Sequence, residues 1–325
     1  MRVWDGVGEV PDLTGSVVTI GMFAGMHRGH QEVVRETVDQ ARRLAVPSVA
    51  ITFTPHPVVV HHPDRELIQL ASSAQRVANL AAAGLDAVLL ISYDLDFAAS
   101  SPEDFVREYL VEVLRARAVV VGEDARFGHK NSGDAHLMRE IGEKYGFTTT
   151  IVTDIRDPIS GRRWSSTWVR EALAEGDVAT AGMVLGRPHS VRGEVVHGAK
   201  RGRELGYPTA NLETEAIGVV PADGVYAGWL VDGGTRYPAA ISVGTNPHFD
   251  GVHRTVEAHV IGRRDLDLYG HVVTVEFTDY LRPMMTFDGL DGLLTQMAAD
   301  VDRAADLLGV PRPAPAQPAR VDPLG

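Results

Sequence analysis

Val17-Val18-Thr19-Ile20-Gly21-Met22-Phe23-Ala24-Gly25-Met26-His27-Arg28-Gly29-His30 passes from an apolar run through glycines into a polar helix start. Residues 17–23 read as a strand, and residues 31–44 place apolar side chains at helical spacing. A strand that turns on glycine into a helix presents backbone N–H groups and the positive end of the helix dipole together, an arrangement that attracts phosphate. Gly21 and Gly29 let the backbone come close to such a ligand. His27 and His30 can then reach the reacting phosphates. By itself, H-x-G-H also fits a turn with two surface histidines, so the surrounding pattern decides.

Outward from this stretch the rhythm repeats. Strands are expected at 48–53, 87–91, 119–121 and 147–152, and helices at 74–83 and 135–145. Another helix should begin at Ser101-Pro102-Glu103-Asp104, with serine as cap, proline in the first turn and acids beside the helix's positive end. Alternating strands and helices imply a parallel sheet covered on both faces, an α/β domain. After Ser165-Ser166-Thr167, two helical stretches run to about residue 185, and Gly186-Arg187-Pro188 ends the pattern. We place a domain boundary there, giving 1–186 and 187–325. Beyond it, apolar runs at 191–196, 224–230, 239–243, 255–261 and 272–277 are separated by glycine and proline, as in a small antiparallel barrel. A terminal helix is expected over 290–308. Its Leu290, Leu293, Leu294 and Met297 recur at helical spacing and read as core. The proline-rich segment 311–325 reads as a flexible tail.

At 325 residues the chain exceeds the roughly 250 to 300 at which a single core stops growing, in keeping with two domains. Apolar residues at 44% and charged residues at 23% exclude a disordered or fibrous class. A net charge of −12 argues against nucleic acid or an anionic membrane as a partner, so any phosphate chemistry must be local. The absence of cysteine excludes disulfides, thiolate metal sites and thiol nucleophiles. No apolar run reaches the ~18 residues of a membrane span, and the N-terminus lacks a signal-peptide core. The expectation is a cytoplasmic protein, a monomer or weak homo-oligomer, acting on small molecules.

Three more stretches fall where open α/β sheets bind ligands, at or after strand carboxyl ends. They are Thr54-Pro55-His56-Pro57, Gly122-Glu123-Asp124-Ala125-Arg126-Phe127-Gly128 and Ser165-Ser166-Thr167-Trp168-Val169-Arg170. The last offers hydroxyls and one guanidinium to phosphate oxygens. Taken with the opening stretch, they resemble the bacterial bifunctional riboflavin kinase/FMN adenylyltransferase (FAD synthetase) family over roughly residues 17–301. The family's motifs run G-x-F-D-G-V-H-x-G-H, F-D-P-H-P, V-G-x-D/N-F-x-F-G and I-S-S-T-x-V/I-R. The chain departs from them at Ala24 and Thr54, where the family has Asp, and at Ala125, where it has Phe.

The resemblance implies a Rossmann-like nucleotidyltransferase domain that joins FMN to ATP. It assigns Gly21, Phe23, His27, Gly29, His30, Ser165, Ser166, Thr167 and Arg170 to the nucleotide, and His56, Pro57, Asp124 and Phe127 to the flavin. His27 and His30 would act at the phosphates, helped by Mg²⁺.

In the second half, Gly193-Glu194-Val195-Val196-His197-Gly198-Ala199-Lys200-Arg201-Gly202-Arg203-Glu204-Leu205-Gly206-Tyr207-Pro208-Thr209-Ala210-Asn211 is the most specific stretch of the chain. Glycines and cations suit a loop over polyphosphate, while Thr209 and Asn211 offer neutral oxygens to Mg²⁺, a hard cation. This stretch closely resembles the riboflavin kinase signature, implying an antiparallel β-barrel kinase domain. Its nucleotide residues would be Gly193, His197, Gly198, Lys200, Gly206, Pro208, Thr209 and Asn211, and Thr209 and Asn211 would hold the metal. In Thr255-Val256-Glu257-Ala258-His259, strand alternation puts Val256 and Ala258 on one face and Glu257 on the other. The resemblance makes Glu257 the base for the riboflavin 5′-hydroxyl and adds Arg282 and Phe287 on the flavin side.

The expected function is synthesis of FMN from riboflavin and of FAD from FMN, with ATP as co-substrate of both steps. Ala24, Thr54 and Ala125 leave open a riboflavin kinase whose first module is inactive, uses another nucleotide or takes another acceptor. A flavin or nucleotide sensor without turnover is the non-enzymatic alternative; it would need neither base nor metal ligands.

Overall fold

A computed structural model of the protein describes residues 1–64, 69–198, 205–212, 218–245 and 254–314. It divides into two compact units, Met1–Ser166 and Thr167–Gly325. The division falls at Ser166/Thr167, before the residue 186 expected from the break in pattern. The physical reason lies in the two intervening helices, α7 (Ser166–Ala174) and α8 (Val178–Leu185). Helix α8 packs against strands of the second unit, and the Leu173 carbonyl accepts a hydrogen bond from Ala222 N at 2.8 Å.

The first unit is built on a six-stranded sheet. Its strands are β1 (Arg2–Asp5), β2 (Ser16–Ile20), β3 (Ser48–Thr54), β4 (Ala87–Ser92), β5 (Ala116–Gly122) and β8 (Thr148–Val152), in the spatial order β1-β4-β3-β2-β5-β8. Every pairing is parallel. The short hairpin β6 (Arg126–Phe127) and β7 (Gly133–Asp134) lies outside the sheet. The order turns around between β2 and its neighbours β3 and β5, which places the carboxyl end of β2, and so the Gly21 turn, at the crevice where such sheets bind ligands.

Alternate residues of β3 bury against opposite helical layers. Val49 and Ile51 pack with Leu110, Leu114 and Met138, whereas Ala50 packs with Phe23, Val34 and Leu80. Helix α1 (Arg28–Leu44) starts three residues before the expected position because His27 caps it. Helices α3 (Ser73–Ala82) and α6 (Ala135–Tyr145) lie near their expected bounds; α3 begins with a reciprocal cap between Ser72 and Gln75. The cap at Ser101 forms as expected, but after Pro102–Phe105 the chain continues as a π-helix over Val106–Val113. Strand β1 has no counterpart in the sequence reading. At four residues, of which Trp4 alone is buried, it is too short to carry a periodic signal.

The second unit is a closed barrel of β9 (His189–Val196), β10 (Ala210–Leu212), β11 (Gly224–Asp232), β12 (Thr235–Thr245), β13 (Arg254–Val260) and β14 (Val272–Arg282), in the order β10-β13-β12-β11-β14-β9. Strand β10 was not expected, since three residues ending a loop motif give no pattern. The terminal helix Leu290–Leu308 packs on the barrel through Val301, Ala304 and Ala305, with Leu294 and Met297 partly buried beside them. Leu290 was read as core but is 53% exposed, because it stands in the first turn beyond the packed face. The flexible tail expected from residue 311 is pinned at its start, where Arg312 pairs with Asp306 at 2.5 Å. Residues 315–325 of that expectation lie outside the described residues.

Candidate active sites

The His pair forms at the first turn of α1. His27 has extended backbone angles, and its Nδ1 accepts a hydrogen bond from His30 N at 3.3 Å, so the motif caps its own helix. The two rings stack with centroids 3.7 Å apart, and Phe23 lies edge-on to His30 at 5.4 Å. A Cβ on Gly29 would stand 3.1 Å from His27 Nδ1 and 3.4 Å from the Trp164 carbonyl, which explains glycine there. Burial, then the neighbouring His30, then Arg163 lower the pKa of His27 to about 2. Burial and Arg163 lower that of His30 to about 4. Both rings are therefore neutral at physiological pH. Because Nδ1 of His27 accepts, its proton sits on Nε2, which becomes a donor.

Arg163 was not singled out from the sequence, where Arg162-Arg163 between a strand and a serine cap was the available signal. It pairs with Asp124 and, at 3.2 Å, with Asp154. Asp124 thus reaches the site's surroundings through a guanidinium, and a Cβ on Gly122 would stand 3.0 Å from its Oδ1. His56 caps α2 (Pro57–His61), its Nδ1 accepting from Val58 N at 3.2 Å with Pro57 at the first helical position. Phe127 was expected against flavin. It is instead 8% exposed in the core, tilted against Phe105 at 6.0 Å. Phe23 is likewise a core residue, 1% exposed, and contributes by packing His30. Ser165 and Ser166 close the first unit. Thr167, exposed, and Arg170, half-buried with its pKa lowered by burial, lie on α7 in the second unit.

In the barrel, β10 and β13 pair antiparallel with Asn211 opposite Glu257. Thr209 Oγ1 donates to Glu257 Oε2 at 3.5 Å, and Asn211 Nδ2 contacts the Thr209 carbonyl and hydroxyl at 3.3 Å each. The alternation expected of β13 holds: Val256 and Ala258 are buried in the barrel, and Glu257 projects from the other face. Partial burial raises the Glu257 pKa above the usual carboxylate value, opposed by the Thr209 hydrogen bond. Gly198 is packed against Asn211 so closely that a Cβ would lie 2.6 Å from its Cγ. His197 contacts Tyr269 with ring centroids 3.9 Å apart.

A cleft of about 290 Å³ is lined by residues that include Pro208, Thr209, Asn211, Arg263, Arg264 and Tyr269, with Gly198 at its wall. Gly206 supplies a left-handed turn at φ +85° just before Pro208, and Gly193 lies within β9 opposite Val273. Lys200 lies outside the described residues. Arg282, expected over flavin, forms a bidentate ion pair with Asp300 of the terminal helix, with Nη2 to Oδ2 at 2.6 Å and Nε to Oδ1 at 2.9 Å. Its guanidinium also stands 5.9 Å from the Phe287 ring, so the pair ties strand end to helix.

Thr209 Oγ1 and Asn211 Oδ1 are neutral oxygens beside a carboxylate, a donor set that suits Mg²⁺. Among the described residues no cluster of three His, Asp or Glu side chains offers an alternative metal site.

Residues 9–168 match the FAD synthetase family and residues 185–308 match the riboflavin kinase family. The chain belongs to the bifunctional riboflavin kinase/FMN adenylyltransferase family. The member from Escherichia coli K12 is 35% identical over 301 residues, 92% of this chain and 95% of its own. The member from Pseudomonas fluorescens is 35% identical over 298 residues, 91% and 94% of the two chains. A solved structure described as a macrolide-efflux protein from Streptococcus pneumoniae superposes with a TM-score of 0.83 at 33% identity, covering 92% of this chain and 96% of that one. Among the described residues of this family member, no helix is long and apolar enough to cross a membrane. Ala24, Thr54 and Ala125 all lie inside the span matched to the FAD synthetase family, so these departures do not separate the first module from it.

Proposed function

We infer that the protein converts riboflavin to FMN in its barrel unit and FMN to FAD in its parallel-sheet unit, with ATP as co-substrate of both steps. The observation that carries this reading is the co-occurrence of both family matches along one chain, each over a unit bearing the corresponding site. The inactive or repurposed first module and the non-catalytic sensor are not favoured by these matches.

In the kinase step, the 5′-hydroxyl oxygen of riboflavin bonds to the γ-phosphorus of ATP, the bond to the β-phosphate oxygen breaks, and ADP leaves. Glu257 accepts the hydroxyl proton; its raised pKa brings it nearer to the working pH than an exposed carboxylate. Thr209 and Asn211 would hold Mg²⁺, which supplies charge neutralisation at the polyphosphate when bound. In the adenylyl step, a phosphate oxygen of FMN bonds to the α-phosphorus of ATP and pyrophosphate leaves, with no protein nucleophile required. Neutral His27 donates through Nε2 to a phosphate oxygen. The amides at the start of α1 favour the accumulating negative charge.

His56, Pro57 and Asp124 serve the FMN side, and Arg282 with Phe287 the riboflavin side. We also propose that the protein works in the cytoplasm, as a monomer or weak homo-oligomer, without nucleic acid or membrane partners. Incubation with riboflavin, ATP and Mg²⁺, followed by chromatography, should yield FMN and then FAD; recovery of riboflavin alone would overturn the reading.

A further inference from the structure

Arg76 sits in the first turns of α3 and is 2% exposed, an unusual place for a permanent cation. Its Nη2 donates to the Phe53 carbonyl at 3.1 Å, and among the described residues its buried Nε has no hydrogen-bond partner. Burial perturbs its pKa downward, and among the described residues no carboxylate contributes. A guanidinium remains charged under such perturbation. Among the described residues none supplies a counterion, and an enclosed charge without one is costly, so its retention calls for an anion.

Its location identifies the anion by chemistry. Three successive residues near the carboxyl end of β3 are tied in sequence. Ile51 O accepts from Gly21 N at 3.1 Å, Thr52 Oγ1 donates to Met22 O at 3.4 Å, and Phe53 O accepts from Arg76. The first two contacts hold the glycine turn that leads to His27. The third holds the strand where it enters Thr54-Pro55-His56-Pro57. Helix α3 also packs through Leu80 and Val77 on Phe23, whose ring lies edge-on to His30. Arg76 is thus mechanically joined to both turns at the ligand-binding edge of the sheet, and its charge acts across a protein interior that screens poorly.

We propose that Arg76 is a positioning residue of the adenylyl transfer site: its charge, unpaired among the described residues, favours phosphate-bearing substrates there while its hydrogen bond fixes the turn that follows β3. It does not touch the substrate. The inference rests on the adenylyltransferase reading of the first unit.

The test uses the full-length chain carrying Arg76→Lys, Arg76→Gln or Arg76→Met, with FAD formation followed from supplied FMN, ATP and Mg²⁺. Riboflavin phosphorylation in the same samples reports on the integrity of the chain. Lysine keeps the charge, glutamine keeps a donor for the Phe53 carbonyl without charge, and methionine keeps neither. We expect Arg76→Gln and Arg76→Met to raise KM for FMN or ATP about tenfold or more. Arg76→Lys should stay within about threefold of the parent, and kcat should change less than KM in all three. The rise in KM with added salt should be shallower in the uncharged variants. If Arg76→Gln matched Arg76→Lys, or if kcat fell with KM unchanged, the charge would have no role and the proposal would be overturned. If methionine prevents folding, the comparison of glutamine with lysine decides. A parent chain that makes FMN but no FAD would refute the functional reading itself, a result distinct from FAD synthesis that is indifferent to residue 76.

Discussion

Replacing Glu257 by glutamine tests the kinase assignment most directly. The amide preserves shape on β13 and can still accept from Thr209 Oγ1, which donates to the carboxylate at 3.5 Å, so substrate binding should change little. What is lost is a group able to take the hydroxyl proton. A positioned base contributes ~10² to 10⁴ in rate. That is ~2.7 to 5.4 kcal/mol of barrier at ~1.36 kcal/mol per tenfold. Glu257→Gln should therefore lower kcat for FMN formation by about 10² to 10⁴ with KM nearly constant. FAD formation from supplied FMN should be unaffected.

The pH behaviour adds a second check. Burial raises the Glu257 pKa above 4.5, so the acid limb of the parent kinase profile should lie above that value and disappear in the variant. For stability, a carboxyl with a raised folded pKa contributes most below 4.5 and loses that contribution as pH rises through the folded value. The glutamine variant should accordingly be at least as heat-stable as the parent at pH 7. Retention of FMN synthesis within about tenfold, or an equal fall of both activities in a folded variant, would refute the argument.

The stacked histidines predict a different pH signature. Their folded pKa values, about 2 for His27 and about 4 for His30, lie below the ordinary 6.5, so their contribution to stability is complete above 6.5 and lost as pH falls toward those values. Thermal midpoints should decline between pH 6.5 and 4, and His30→Gln should flatten that decline; an unchanged slope would contradict the burial of the ring. Gly198→Ala places a Cβ 2.6 Å from Asn211 Cγ, so riboflavin phosphorylation should fall about tenfold or more with a raised Mg²⁺ requirement, read by titrating the metal. Gly228→Ala would set a Cβ 1.9 Å from the Glu276 carbonyl oxygen, next to an irregularity between β11 and β14. It should destabilise the barrel by at least ~1 to 3 kcal/mol in denaturant titrations.

Much of this architecture was legible because its signals are local. The cap at His27, the serine–proline start at 101–102 and the alternation of Val256, Glu257 and Ala258 each depend on residues within a few positions. What escaped depends on contacts distant in sequence. Nothing around Arg76 announces burial, since a lone arginine in an amphipathic helix ordinarily faces water; the Phe53 carbonyl that receives it is 23 residues away. The ion pair of Arg282 was not legible because its partner, Asp300, stands 18 residues later on another element. Phe127 looked like a ligand platform beside a strand end, yet the packing of Phe105 draws it into the core. Strands β1 and β10 are defined by partners, not by their own composition.

The rung of the ladder that sets Asn211 against Glu257 makes the kinase centre a matter of counting as well as chemistry. Loops joining barrel strands can change length without altering which side chains face each other. A single residue inserted into β13 ahead of Val256 would reverse every side chain beyond it, sending the carboxylate inward and Val256 out to Asn211. The barrel would then hold an ionisable group in its interior and an alkyl group beside the oxygens of Thr209 and Asn211 that are proposed to hold Mg²⁺. For anyone re-engineering this enzyme, indels belong in the connections, and the strands that bear the site should be treated as fixed in length.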